Sequence, residues 1–248
     1  MTIRTSAPLR MSLFALSCLC CAQTPALTLT TEEFPPLNFS TDGGQAISGS
    51  ATDLMREILR RTGIPGTFVM LSWRSAYKMA IEDKDTCVFA TARTEEREKL
   101  FQWVGPLATG QWIFYTTPNR EIVVHQIDDL RPYMIGSYQS DVRAAYLKEH
   151  GFHLDEAMSE EQNLKKLAAG KIDLWLATDN SANWLSKKHG IALKPVHTLR
   201  SSTSYAACNR GISPLQIERM NAALRNMFAD GTVERLLKPY GVPLPPAP

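Results

Sequence analysis

The chain has 248 residues, of which 44% are apolar and 21% charged, with 14 glycines, 15 prolines and five cysteines. That balance excludes a disordered chain, which lacks the apolar surface to offset the entropy of ordering, and it excludes a collagen-like repeat or a small disulfide scaffold. A formal net charge of +2, with no long basic run, lacks the electrostatic footprint of a nucleic-acid binder.

Residues 1–10 carry Arg4 and Arg10 and no acid, and residues 11–21 (MSLFALSCLCC) form a short apolar run that ends near small residues. A basic start, an apolar stretch of about ten residues and a small-residue exit predict a secretory signal peptide over residues 1–26. Cleavage after Ala22 or Ala26 fits; Ala26 is preferred because the strand-like LTLTT follows directly. The run is too short to span a bilayer, which takes about 20 apolar residues. A lipid anchor on Cys18 is disfavoured because Ala15 stands where that motif wants leucine. Removing this segment takes Cys18, Cys20 and Cys21, leaves Cys87 and Cys208, and lowers Lys+Arg from 27 to 25 against 25 Asp+Glu. The mature chain is expected to be neutral, soluble and outside the cytoplasm.

Strand-like and helix-like runs then alternate, which predicts an α/β protein with largely parallel sheets. LTLTT (27–31) reads as a strand. Ser50 stands three residues before Asp53 in a capping-box-like start, and Leu54, Met55, Ile58 and Leu59 repeat at helical spacing up to Gly63. TFVML (67–71), a helix over 73–81 and the strand TCVFAT (86–91) follow. A weak internal echo aligns Lys78, Met79, Ala80, Asp85 and Val88 with Lys166, Leu167, Ala168, Asp173 and Leu176 at one constant offset. Both stretches read as helix, tight turn and buried strand, so two lobes on one plan are expected. The second lobe takes the strand YMIGS (133–137), helices over 141–150 and from SEEQ (159–162) to Gly170, and the strand IDLWLA (172–177). A return strand SYAAC (204–208) leads into a helix started by Ser213 and Pro214, with Leu215, Met220, Leu224 and Phe228 facing inward. Crossings near 109–116 and 198–204 form a hinge. The ligand is expected at the strand carboxyl ends, facing the cleft between lobes.

The stretch TARTEEREKLFQWVGPL (91–107) carries the most chemistry. Thr94 can cap a helix whose first turn holds Glu95 and Glu96, and Arg97 sits at its third position. Free amides at a helix start together with a guanidinium make a carboxylate site. The alternative is a solvated helix start in which Arg97 pairs with Glu96 or Glu98. His150 and His153 are three apart, but neither a third ligand nor a zinc spacing accompanies them; no metal is expected. With neither a phosphate loop nor a nucleophile elbow, no cofactor is expected and binding is favoured over catalysis.

EFPPLNF, SGSATDLMREILRRTG, the Trp73-led helix, RTEER before WVGPL, IGSYQSD, LAAGKIDLWLATD and DGTVERLLKPYG, in this order, resemble the extracellular solute-binding proteins of family 3, the periplasmic receptors of amino-acid-type ABC transporters. The resemblance implies a two-lobed, type II periplasmic-binding fold, with residues 27–110 plus 203–248 in one lobe and 111–202 in the other. It implies a periplasmic monomer that captures an amino acid or related carboxylate and hands it to a membrane ABC permease. Arg97 matches the arginine that holds the ligand carboxylate. The hydroxyl residues that assist it are replaced by Ala90 and Ala92, with Thr91 adjacent. Phe34 and Trp73 match aromatic walls, or else pack in the core. Ser140 and Asp141 stand at a helix start that can meet the carboxylate, although Asp141 serves equally as a helix cap. Asp179 matches the acid that pairs with the ligand amino group, unless the one-residue difference in spacing puts Thr178 there; Asp173 reads as a turn residue.

The family's topology lays SYAAC antiparallel beside TCVFAT. A register that pairs Thr91 with Ser204 then also pairs Cys87 with Cys208, and an oxidising compartment preserves such a disulfide; two buried thiols are the alternative. A periplasmic enzyme on the same fold, resembling cyclohexadienyl dehydratases, is the competing function, and a sensory or partner-docking domain is the third.

Overall fold

Leu27 and Leu29 alternate inward along β1 (Leu27–Thr31), the central strand of the first half of the molecule. The computed structural model describes residues 25–248; the signal peptide expected over residues 1–26 lies outside the described residues except for its last two. A small hairpin of β2 (Phe39–Thr41) and β3 (Ala46–Ser48) precedes α1 (Ser50–Thr62), whose apolar stripe of Leu54, Met55, Ile58 and Leu59 is buried as its spacing predicts. The capping box expected at Ser50 does not form. The helix begins one residue earlier on Gly49, at φ 129°, where a Cβ would collide with the Leu37 carbonyl. Asp53 instead accepts the Tyr240 hydroxyl at 2.6 Å, tying the helix to the chain's C-terminal region.

The first half continues with β4 (Gly66–Met70), α2 (Trp73–Glu82), β5 (Thr86–Ala92) and the single turn α3 (Glu95–Glu98). Strand β6 (Phe101–Thr116) then runs for 16 residues into the second half. There β7 (Ile135–Tyr138), α4 (Val142–Glu149), β8 (Leu154–Ala157), α5 (Glu160–Ala168), β9 (Leu174–Thr178) and α6 (Asp179–His189) follow. The chain returns along β10 (Lys194–Asn209) and ends in α7 (Pro214–Ala229) and α8 (Thr232–Leu237). Among the described residues no helix is long and apolar enough to cross a membrane.

The eight strands outside the β2–β3 hairpin form one curled sheet in the order β4-β1-β5-β10-β6-β9-β7-β8. Pairing is parallel within β4-β1-β5 and within β9-β7-β8, and antiparallel where β10 and β6 join them. The result is the expected two-lobed α/β architecture. The internal echo corresponds to α2 followed by β5 and to α5 followed by β9. Separate apolar cores fill the two halves, one around Leu29, Met55, Phe89 and Met220, the others around Phe114, Leu174 and Trp175.

Two expectations need correction. The return strand is 16 residues long, because its polar stretch Ser201–Ser204 is held by backbone pairing to β6 rather than by an apolar pattern. On α7, Leu215 is 69% exposed, and Ile217 and Met227 join Met220 and Leu224 in the core.

Cys87 and Cys208 are directly opposed on β5 and β10 and joined by a disulfide of S–S 2.09 Å. The register that aligns them does not extend to Thr91 and Ser204. A bulge at Ala90, at φ 61°, adds a residue to β5, so Thr91 faces Tyr205 and Ala92 faces Ser204. The bridge closes a 121-residue separation, which in the chain-entropy account restricts the unfolded state and stabilises folding by about 2–5 kcal/mol. Neither cysteine should be alkylated in denatured, unreduced protein analysed by peptide mass spectrometry. The double substitution Cys87→Ala/Cys208→Ala should lower the unfolding free energy by about that amount in urea titration, and an unchanged midpoint would contradict it.

Candidate functional site

The carboxyl ends of β5 and β7 face each other across the gap between the halves. A cavity of about 1040 Å³ opens there, walled by α3 and by Ser201, Ser202, Thr203 and Tyr205 of β10 on one side and by the start of α4 on the other. A recess of about 40 Å³ shares Ala92, Arg97, Trp112, Asp141, Val142 and Ser202 with it and reaches inward to Glu32, Phe34 and Arg143. The halves also touch outside these linings, where Ser181 Oγ donates to the Pro35 carbonyl at 2.7 Å and the Phe39 and Trp184 rings lie 5.6 Å apart.

Arg97 lines both spaces. Its guanidinium lies 5.3 Å from the Trp73 ring and 5.1 Å from the Tyr77 ring, and Nη1 donates to the Ala92 carbonyl at 3.2 Å. The neighbouring Glu98 is occupied by Arg93, through contacts of 2.5 and 2.7 Å. Among the described residues no carboxylate lies within ion-pair distance of Arg97, so the feared pairing with Glu96 or Glu98 does not occur. A half-buried guanidinium held by two aromatic faces and one carbonyl keeps donors for an anion. The helix expected to add its amides is only one turn long, and Thr94 makes no side-chain bond to its backbone.

Trp73 opens α2, whose cap Ser72 accepts from Ser75 N–H at 3.3 Å. Trp73 and Phe34 are nearly buried yet line the recess, so they are both core and wall. Thr91 lies elsewhere: it is buried and its hydroxyl donates to Val88 O at 3.2 Å, because the pleat that turns Ala90 and Ala92 toward the recess turns Thr91 away. Hydroxyl groups come instead from the adjacent strand, in Ser202 and Ser204. Ser140, at φ 61°, lines the large cavity, and Asp141 lines both spaces while also capping α4 through Arg143 N–H at 2.8 Å. Asp179 lies outside both linings: its Oδ1 accepts from Gln111 N–H at 3.0 Å and Asn180 N–H at 2.8 Å. Thr178 takes its place in the recess. Asp173 holds Met134 N–H at 2.8 Å, as a turn residue should.

Sequence reasoning missed Glu32, Trp112 and Arg143. Glu32 follows β1 in TTEEF, two residues before Phe34, and Arg143 stands two residues beyond Asp141, so each lies close to a residue already singled out. Arg143 is 1% exposed; Nε meets Asp141 Oδ1 and Nη2 meets Glu160 Oε1, both at 2.6 Å, and Phe34 lies 5.5 Å from its guanidinium. Burial works against this cation, but the Asp141 and Glu160 carboxylates overcome it and hold it charged. Trp175 Nε1 donates to the second Glu160 oxygen at 2.9 Å. Glu32, 5% exposed, is pushed up to about 8 by burial, against the hydroxyl of Tyr138, which favours its ionised form, and with the Asp141 charge adding to the rise. Among the described residues no group of three or more His, Cys, Asp or Glu side chains is placed to hold a metal ion.

Residues 27–243 match the family model described as bacterial extracellular solute-binding proteins, family 3. Among solved structures, a histidine kinase sensor domain with similarity to periplasmic binding proteins superposes with a TM-score of 0.82 at 18% identity, covering 90% of this chain and 99% of that one. An ancestral arginine-binding protein bound to arginine gives 0.78 at 21%, covering 88% and 99%. The GluR0 ligand-binding core from Nostoc punctiforme in complex with (L)-glutamate gives 0.76 at 24%, covering 88% and 100%. Among curated proteins none matches the chain. At these identities the likeness establishes the fold.

Glu32 ionises near 4.5 when solvated and near 8 in the fold. The folded state therefore holds an extra proton between those values, and stability falls as pH rises through that window. Glu32→Gln removes this dependence. The melting temperature of the variant minus that of the parent should grow from about pH 5 to about pH 9, and parallel curves would count against a buried, protonated Glu32.

Proposed function

The chain belongs to the bacterial extracellular solute-binding proteins, family 3, and from that premise we propose that it captures a small amino-acid-like or other carboxylate solute in the periplasm and delivers it to a membrane ABC permease. The leader over residues 1–26 sends it there. Residues 27–110 with 203–248 form the first lobe and 111–202 the second. The hinge is the β6–β10 ladder, where Gly110 faces Ser202 and Thr109 faces Thr203.

The observation that carries this reading is Arg97, a guanidinium on the cavity wall, stacked on Trp73 and Tyr77 and without a carboxylate partner among the described residues. It anchors the ligand carboxylate, with Ser202 and Ser204 in the role the family gives to hydroxyls on β5. Trp73, Phe34 and Trp112 wall the site. Ser140 and Asp141 complete it from the second lobe. Contacts to both lobes exist only when the lobes are together, so the ligand draws the population toward closure. Thr178 rather than Asp179 faces the recess, which weakens the case for a bound α-ammonium and favours carboxylates in general.

One observation favours a second reading, a dehydratase on the same fold: Glu32 is a recessed carboxyl protonated near neutrality, the state a general acid needs. Turnover of prephenate or arogenate would establish it. The likeness to a kinase sensor domain supports a signalling partner as a further destination for the closed form.

A thermal-shift screen against amino acids, polyamines and organic acids should identify ligands, because binding to the native state alone raises the melting temperature. For a carboxylate found this way, Arg97→Ala should weaken binding at least about tenfold in calorimetry, since a shielded charge-assisted pair contributes roughly 1.5–3 kcal/mol. Equal affinity in the variant would remove Arg97 from the site.

A further inference from the structure

Two polar atoms at the inner end of the cleft have no partner. Arg143 Nη1 and Glu32 Oε2 are both buried without a hydrogen bond, and both residues line the 40 Å³ recess. Arg143 is otherwise fully engaged, Nε by Asp141 and Nη2 by Glu160. Its remaining donor nitrogen is therefore held in place by a network that makes no use of it. A buried donor left empty costs the full desolvation of that group, and the same holds for the Glu32 oxygen. The two stand on opposite halves of the molecule, Glu32 after β1 and Arg143 in α4, so closure brings them to one place.

Resting on the reading that Arg97 holds a carboxylate, we propose that the recess between Glu32 and Arg143 is a second polar subsite, which receives the far end of the ligand when that end is a carboxyl or carboxamide. A carbonyl oxygen there accepts from Arg143 Nη1. The protonated Glu32 carboxyl donates to the other oxygen of a carboxylate, or its carbonyl accepts from the NH₂ of a carboxamide. A methyl end leaves both protein atoms unsatisfied. An ammonium or guanidinium end meets the Arg143 cation, whose two carboxylate partners are already taken. Arg97 lines the recess as well as the cavity, so one short ligand reaches both places. Tyr138, Asp141 and Glu160 are the other titratable groups around Glu32.

The test uses five-carbon probes that share one end: glutamate, glutamine, norvaline and ornithine, with glutarate and pentanoate as the pair lacking an ammonium. In calorimetry at about pH 7, the probes ending in a carbonyl should bind at least about tenfold tighter than their methyl-ended or cationic counterparts, because a site built to hydrogen-bond rejects an analogue that lacks the group. The acid-ended probes should lose affinity as pH rises past about 8, where Glu32 ionises, and Glu32→Gln should abolish that loss. Methyl-ended or cationic probes binding as tightly as the carbonyl-ended ones, or no probe binding at all, would overturn the subsite. Arg97→Ala separates the two readings. If it weakens every probe alike while the parent shows no preference for the far end, the subsite fails and the anchor stands. If the preference persists and Arg97→Ala changes nothing, the anchor fails.

Discussion

Two strands of 16 residues, β6 and β10, run antiparallel along their whole length and pass through both halves of the molecule. Apart from the separate β2–β3 hairpin, every other strand attaches to this pair directly or through one neighbour or more: β5, β1 and β4 on one flank, β9, β7 and β8 on the other. The apolar cores lie to either side of its midpoint, and the midpoint itself is polar, Thr109 and Gly110 against Ser202 and Thr203. Backbone hydrogen bonds rather than side-chain packing hold the molecule together there. A ladder of that kind can twist at little cost, whereas close-packed cores cannot deform continuously.

This arrangement places the chemistry. The ends of β5 and β7 open toward each other because the strands on the two flanks both point toward the gap, so residues just after strand ends, Glu32, Arg97 and Asp141, converge from three distant parts of the chain. Around them the charges are unevenly satisfied. Arg143 is paired with carboxylates through two of its nitrogens and keeps the third unpartnered, Arg93 is clamped by Glu98, and Arg97 has only aromatic faces and a carbonyl. The uneven distribution separates an arginine fully occupied by its carboxylate, Arg93, from two that keep donors facing the cleft.

Much of the architecture was legible in the sequence because it rests on local patterns. The stripe of α1, the Ser159 cap, which accepts Gln162 N–H at 3.2 Å, and the alternation of strand and helix all follow from spacing and capping chemistry. The Cys87–Cys208 pairing was legible only through the strand topology that the family resemblance implies, and the Ala90 bulge was not legible, since alanine carries no signal for a left-handed backbone. Thr91 failed as a site residue for a simpler reason, since the pleat that turns Ala90 and Ala92 toward the recess turns it away. Leu215 misled because helical spacing does not say which side of a helix start faces water. Glu32 and Arg143 were hidden for a different reason: a charged residue is expected at the surface, and only the meeting of distant segments reveals that these two are interred. Glu32 also shows why a carboxyl's chemistry is unreadable from sequence, for its high proton affinity comes from burial in the fold and from the charges of Asp141 and Glu160, more than 100 positions away.

The disulfide has a mechanical meaning. Cys87 lies near the start of β5 and Cys208 near the end of β10, at the end of their shared ladder away from the cleft. A covalent rivet at that end prevents the two strands from sliding past each other when the other end is loaded. In the proposed closure, such a rivet would keep shear from bending around Ser202 from spreading into the first half, so that the wall carrying Arg97 holds its shape while the opposite wall moves.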